Sequence, residues 1–250
     1  MLEPVGRLLL DHSALTSGQR VLDVGCGYGT TSLAITELGA QVHGVDISTP
    51  MVEAARSRVP RATFEVTDAQ TEPLGGPYDA VVSRFGVMFF DDPVAAFTNI
   101  ANSTAPGGHL TFVCWNDQAR SDAVWAGGEV IRAALPSPPR PLHPHAPGPF
   151  AFADPDRTRG ILSTAGWSDI SIVGHEVPSA IGWPDSDGVE ERLALVLASE
   201  AGQLMREQMA VEDQPAVIDA ARASLRGRVV DGAVRLHASV WLVSATCQPR

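Results

Sequence analysis

Short runs of branched and aromatic residues recur through the first 115 positions, and each gives way to a segment whose apolar residues fall at helical spacing. RVLDV (20–24), QVHGVD (41–46), ATFEVTD (62–68), YDAVVSR (78–84) and HLTFVCW (109–115) predict five strands. Punctuation places the helices between them. One spans about Thr30 to Leu38 and stops at Gly39; a second starts at Thr49 with Pro50 in its first turn; a third starts at Asp92 with Pro93 likewise. Strand and helix alternating at this spacing imply right-handed crossovers and a parallel sheet, so the fold class is α/β.

Beyond Trp115 the rhythm changes. SDAVWAGGEVIRAAL (121–135) has a helical pattern, whereas the prolines of PSPPRPLHPHAPGP (136–149) exclude helix and central strand and predict a loop. Asp154-Pro155 opens a helix to about Ala165, Gly166 ends it, and WSDISIVGHEV (167–177) follows as a strand. Helical stretches at 189–209 and 214–226 precede RLHASVWLVSATC (235–247), whose strict alternation closes the chain as a strand. No internal repeat is visible. The expectation is one domain over 1–250, with insertions at about 116–153 and 178–234 forming a substrate lid.

Charge narrows the chemistry. The chain carries 29 acidic residues against 18 basic ones, a formal net charge of −11, which argues against nucleic acid because such binding draws on clustered cations. All 18 basic residues are Arg, so a Walker A phosphate loop and a Schiff-base amine are both excluded. No apolar run reaches the roughly 18 residues of a membrane span, and the start MLEPVGRLLLDHSAL has no signal-peptide pattern, so the expected location is cytoplasmic. Cys26, Cys114 and Cys247 are too scattered for a disulfide framework or a metal site, and are expected to be buried.

VLDVGCGYGTTSLA (21–34) raises the question of a ligand. A glycine turn between strand and helix lets a ligand approach bare backbone at the helix's positive end. For a dinucleotide the spacing is G-x-G-x-x-G; here the glycines are Gly25, Gly27 and Gly29, and position 30 is Thr. Asp23 precedes them, where a carboxylate repels a pyrophosphate but suits a cationic ligand. Asp46 ends the second strand, placed for ribose hydroxyls, and Asp68 ends the third, placed for an adenine amine. An adenosine ligand with positive charge satisfies all three acids.

These pieces resemble the class I S-adenosylmethionine-dependent methyltransferases: VLDVGCGYG for the glycine loop, GVDIS for the ribose strand, EVTDAQTEPL for the adenine strand, and YDAVVSRFGVMFFDDPVAAFTNIANSTAPGGHLTFVCW for strands four and five. GPFAFADPDRTRGILSTAGWSDISI and VRLHASVWLVSA are similar to a subfamily of small-molecule methyltransferases that tailor bacterial natural products. The resemblance implies a Rossmann-like seven-stranded sheet in the order 3-2-1-4-5-7-6, the last strand antiparallel, with helices on both faces, and S-adenosyl-L-methionine as cofactor. It implies that Asp23, Gly25, Gly27 and Gly29 lie along the methionine part and ribose, with Cys26 and Met51 also at the cofactor. Asp46 and Ile47 would hold ribose and adenine, Asp68 and Ala69 flank the adenine, and Ser83 and Arg84 lie beside the methionine end. Relatives carry an N-terminal helical cap before the segment that LEPVGRLLL matches, and this sequence begins there. The expectation is a truncated start or a more open site.

Methyl transfer from a sulfonium needs alignment more than a catalytic base, and alignment can contribute on the order of 7 to 11 kcal/mol. No catalytic residue is assigned; His12 and Arg84 are the candidates. The acceptor crevice at the carboxyl ends of strands four and five is expected to hold Phe85, Met88, Trp115 and Asn116, while Phe89 is expected in the core. His143 and His145, in the proline loop, read as solvated rather than metal-bound, and without a carboxylate cluster no metal is expected. SRFG is not the Asn/Asp-Pro-Pro-aromatic signature of nucleobase-amine methylation. The expected reaction is metal-independent O-, N- or C-methylation of a small, largely apolar metabolite in bacterial secondary metabolism. The alternative is a cofactor-binding regulatory or assembly protein without transfer activity. A nicotinamide oxidoreductase is disfavoured by Thr30 and Asp23, and a homodimer is left open.

Overall fold

In the computed structural model, which describes residues 3–117, 119–137, 145–181 and 185–248, the five predicted strands form one parallel array. They are β1 (Arg20–Val24), β2 (Gln41–Asp46), β3 (Thr63–Val66), β4 (Tyr78–Arg84) and β5 (Thr104–Trp115). β1 pairs with both β2 and β4, Asp23 opposite Gly44 on one side and Val82 on the other. Val21, Leu22, Val81, Val82, Leu110 and Phe112 are buried, as expected for strands covered on both faces. Adding β6 (Trp167–Ile181), β7 (Val229–Val230) and β8 (Ala233–Cys247) gives the order β3-β2-β1-β4-β5-β8-β6, with β7 off the path on β8. β8 runs antiparallel to β5, His109 opposite Thr246 and Trp115 opposite Val240. The expected Rossmann-like order and antiparallel last strand are therefore present, and the two-residue β7 makes the sheet eight-stranded.

Helices α1 (Glu3–Ser13), α2 (Thr30–Glu37), α3 (Thr49–Arg58), α4 (Pro93–Asn102) and α7 (Pro155–Thr164) accompany these strands. The Asp92 and Asp154 carboxylates cap α4 and α7, accepting the Ala95 N–H in the first and the Asp156 and Arg157 N–H groups in the second. Trp167, 2% exposed, donates its indole N–H to the Phe97 carbonyl at 3.0 Å and so ties the start of β6 to α4. All three cysteines are buried.

The chain divides into two compact units. The larger comprises Val5–Asp117, Pro144–His175 and Val240–Arg250; the smaller comprises Met1–Pro4, Gln118–His143 and Glu176–Ser239. The expectation of one domain did not include this division. The smaller unit contains α5 (Asp122–Trp125), α6 (Gly128–Ala134), α8 (Val189–Ala198), α9 (Glu200–Gln208) and α10 (Gln214–Arg226). Arg192, 5% exposed, holds it together by donating to the Ala126 and Val124 carbonyls at 3.0 Å each. Two stretches that read as single helices are each broken. Gly127, at φ +86, separates α5 from α6, and Ser199, extended at ψ 175, separates α8 from α9.

Candidate cofactor and acceptor site

The carboxyl ends of β1, β2 and β4 meet where the strand order reverses, the place where open α/β sheets bind ligands. The loop after β1 is left-handed at Gly25, Gly27 and Gly29, with φ of +68, +52 and +73. The first two glycines serve different ends. A Cβ on Gly25 would lie 2.6 Å from Gly86 Cα, so this glycine lets the β1 and β4 loops cross; on Gly27 it would meet only Met51 Sδ, at 3.9 Å. Gly27 is thus the bare cradle, and Met51 lies beside it.

Asp46 locks this loop to the second strand. Its carboxylate accepts the Gly27 N–H and the Ser48 N–H, each at 2.9 Å, and is half-buried, with lone pairs to spare for hydroxyl donors. Ile47 beside it is 74% exposed, an apolar surface suited to a purine face, and Tyr28 in the glycine loop is 57% exposed. Cys26 is buried beneath the loop in a cluster with Val52, Ala55, Val59 and Phe64, and burial pushes its thiol far up. Asp68 spends its carboxylate on its own turn, accepting the Gln70 N–H at 2.9 Å and the Thr71 hydroxyl at 3.0 Å. Ala69 is buried, its carbonyl held by Asn99.

Asp23 is fully buried. Its Oδ2 accepts the Ser32 hydroxyl at 2.6 Å, and its Oδ1 has no partner among the described residues. Burial, opposed by Ser32 and the Arg84 guanidinium, raises its pKa from 3.8 to about 6. Arg84 ends β4 beside α1, its guanidinium 3.4 Å from where a Cβ on Gly6 would stand; burial lowers its pKa and Asp23 raises it. Ser83 is buried and bridges the crossing loops, donating to the Val24 carbonyl at 2.7 Å and accepting the Gly86 N–H at 3.2 Å.

Past Arg84 the chain turns through Phe85 at φ +65, a conformation that costs a side-chain-bearing residue energy and clusters at functional sites. The Phe85 ring stacks on Trp115 with centroids 4.4 Å apart. Asn116 donates to the Val240 carbonyl at 3.3 Å while its buried Oδ1 has no partner among the described residues. The next turn, Val87–Phe89, corrects the sequence reading. Met88, expected in the acceptor crevice, is 1% exposed, and Phe89, expected in the core, is 56% exposed. His12 is exposed, bonds the Leu8 carbonyl through Nδ1 and meets the His175 ring edge-on at 5.6 Å. His143 lies outside the described residues. Among the described residues, no three His, Cys, Asp or Glu side chains are grouped to hold a metal, and no helix is long and apolar enough to cross a membrane.

The structure thus brings Gly27, Met51, Asp46 and Ile47 together and commits Asp23, Cys26, Ala69 and Ser83 to the interior. Sequence reasoning missed Ser32, Gly86 and Tyr28. Gly86 alone had a readable signal, as a glycine two residues past a strand end.

A methyltransferase-domain family model matches residues 21–108. The demethylmenaquinone methyltransferase of Renibacterium salmoninarum is 30% identical over 173 residues, 66% of this chain and 73% of that protein. The chain belongs to the class I S-adenosylmethionine-dependent methyltransferases. Aklanonic acid methyltransferase of Streptomyces sp. is 37% identical over 118 residues, 44% of this chain; the chain spans about half of that relative, 54% of its length. Phosphoethanolamine N-methyltransferase 2 of Haemonchus contortus, solved with S-adenosylhomocysteine, shares the fold at 20% identity and TM-score 0.56 over 98% of this chain and 52% of that one. The methyltransferase uses S-adenosyl-L-methionine, and its crevice suits that molecule on its own terms. The cradle at Gly27 is open, the Asp46 carboxylate keeps acceptor capacity, and the buried Asp23 Oδ1 has no hydrogen-bond donor among the described residues.

Proposed function

We propose that this methyltransferase methylates a small, largely apolar metabolite at oxygen, nitrogen or carbon, without a metal, in bacterial secondary metabolism. The stacked Phe85–Trp115 pair at the ends of β4 and β5 carries the reading, because it offers a flat apolar wall directly after Arg84. Names such as demethylmenaquinone and aklanonic acid methyltransferase agree with a small-molecule acceptor.

In this reading Asp46 receives the ribose hydroxyls, Ile47 packs on the adenine, and Asp68 and Ala69 border it. Gly25, Gly27, Gly29 and Met51 shape the loop around the ligand, with Cys26 as its support. Asp23 and Arg84 set the field at the methionine end, and Ser83 fixes the backbone there. Bound S-adenosylmethionine supplies an electrophilic methyl group. The chain's residues hold and align, and Asn116 Oδ1 accepts a hydrogen bond from the acceptor's polar group. The segments the sequence marks as additions, about 116–153 and 178–234, contribute to the choice of acceptor. A net charge of −11 supports a partner other than nucleic acid. Labelled-methyl transfer to a panel of apolar hydroxylated and aminated acceptors, with and without EDTA, tests this; labelling of RNA in place of every small acceptor, or abolition by EDTA, overturns it.

A further inference from the structure

A cavity of about 500 Å³ opens at the other end of the sheet from the glycine loop, where β1 to β4 begin. Its wall includes Arg20, Gln41, His43, Arg61, Thr63 and Tyr78. Strand register creates it: Arg20 pairs with Gln41 and His43 with Thr63, so these polar side chains share one rim. Arg61 comes from the turn between α3 and β3.

The arginines make the cavity unusual within this chain. Among the described residues, Arg20, Arg61 and Arg226 make no hydrogen bond or ion pair through the guanidinium, whereas most other arginines do. Two of those three line this one cavity. The Arg20 guanidinium lies 5.5 Å from the centre of the Tyr78 ring, Asp79 accepts the Arg20 main-chain N–H at 2.8 Å, and Glu65 lies 3.5 Å from His43 Nε2. His43 Nδ1 is 2.5 Å from the Tyr78 hydroxyl, which donates to the Leu74 carbonyl at 2.7 Å, so the cavity floor is a closed network that leaves the guanidiniums for a guest. In a protein of net charge −11, two cations without carboxylate partners facing one concavity are a receptor for negative charge.

We propose that this cavity binds a small oxyanionic metabolite, held by the Arg20 and Arg61 forks, at a site separate from the methyl-transfer crevice. The volume falls in the range of small-molecule pockets and exceeds what a lone phosphate fills. Titration calorimetry at low ionic strength tests it, with inorganic pyrophosphate and citrate as probes that separate phosphate from carboxylate recognition. The expected result is saturable one-site binding of at least one probe, weakened roughly tenfold in Arg20→Gln and in Arg61→Gln, as expected for loss of one charge-assisted pair. Arg226→Gln, the third unpaired arginine, leaves that binding unchanged, and Arg61→Gln retains S-adenosylhomocysteine binding. Absence of saturable binding by both probes, or binding that survives both cavity substitutions, overturns the proposal.

Discussion

Replacing Asp23 by asparagine tests the electrostatics of the crevice. A carboxyl whose pKa rises from 3.8 in the unfolded chain to about 6 in the native state favours folding while it is protonated. That contribution is complete below pH 3.8 and is lost as pH rises through about 6. The displacement corresponds to about 3 kcal/mol, at about 1.4 kcal/mol per pH unit. The asparagine amide cannot ionise, so that dependence disappears. It can still accept the Ser32 hydroxyl, but it places an NH₂ where Oδ1 now has no partner, which costs about 1–3 kcal/mol. The two terms oppose each other above pH 6 and only the second acts below pH 4. Denaturant unfolding without cofactor is therefore expected to show Asp23→Asn less stable than wild type at pH 4 and equal or more stable at pH 8, with the difference between the proteins changing by about 3 kcal/mol across the interval. Parallel pH profiles would refute the assignment of Asp23 as the buried, displaced carboxyl. The ligand supplies a second readout: if Asp23 faces positive charge, wild-type affinity for S-adenosylhomocysteine falls as pH drops through about 6, and Asp23→Asn binds weakly with little dependence on pH.

Asp46→Ala is expected to weaken S-adenosylhomocysteine binding by roughly a hundredfold or more, since it removes a charged acceptor for two hydroxyls, with circular dichroism showing the fold retained; unchanged affinity by calorimetry would remove Asp46 from the ribose role. Gly25→Ala and Gly27→Ala should separate. The first drives a Cβ into Gly86 at 2.6 Å and is expected to cost about 2–4 kcal/mol, while the second meets only Met51 and is expected to cost about 1–2 kcal/mol yet abolish cofactor binding. Equal unfolding midpoints for the two variants would refute the distinction. Trp167→Phe removes the indole N–H that the Phe97 carbonyl accepts and is expected to cost about 0.5–1.5 kcal/mol in urea unfolding, with no change in cofactor affinity.

The fold was legible where one physical rule decides the local structure. Strands of a parallel sheet are buried on both faces, so RVLDV and YDAVVSR have consecutive rather than alternating apolar residues at their centres, and the proline starts of α3 and α4 need no tertiary information. Legibility failed where neighbours decide. Residues 121–135 and 189–209 carry one continuous helical pattern each, and nothing local says that Gly127 takes φ +86 against Leu225 or that the chain extends at Ser199. The lone turn at Val87–Phe89 is too short to show its own period, so nothing local says that Met88 is buried and Phe89 exposed.

The crevice divides along the same line. Left-handed backbone at Gly25 and Gly27 can be anticipated because few other residues tolerate it, whereas Phe85 at φ +65 and the crossing of Gly25 with Gly86 depend on two loops meeting. Position along the strands gave Asp23, Asp46 and Asp68 three roles at one adenosine ligand, at its cationic end, its ribose and its adenine, but said nothing of what else each carboxylate binds. Hydrogen bonding makes them three different groups. Asp68 is engaged by its own turn, Asp46 is half engaged and open to hydroxyl donors, and Asp23 is sealed off with one oxygen unmatched. The Asp23 pKa is displaced upward because burial there removes solvent without providing a full set of donors. It follows that pH and substitution should act on this site in separable ways. On the proposed ribose role, loss of Asp46 removes contacts to a neutral sugar, whereas loss of Asp23 removes a charge that exists only above about pH 6. Calorimetry of both variants at the two pH values tells a pocket that grips its ligand by shape and hydroxyl recognition from one that also selects for positive charge.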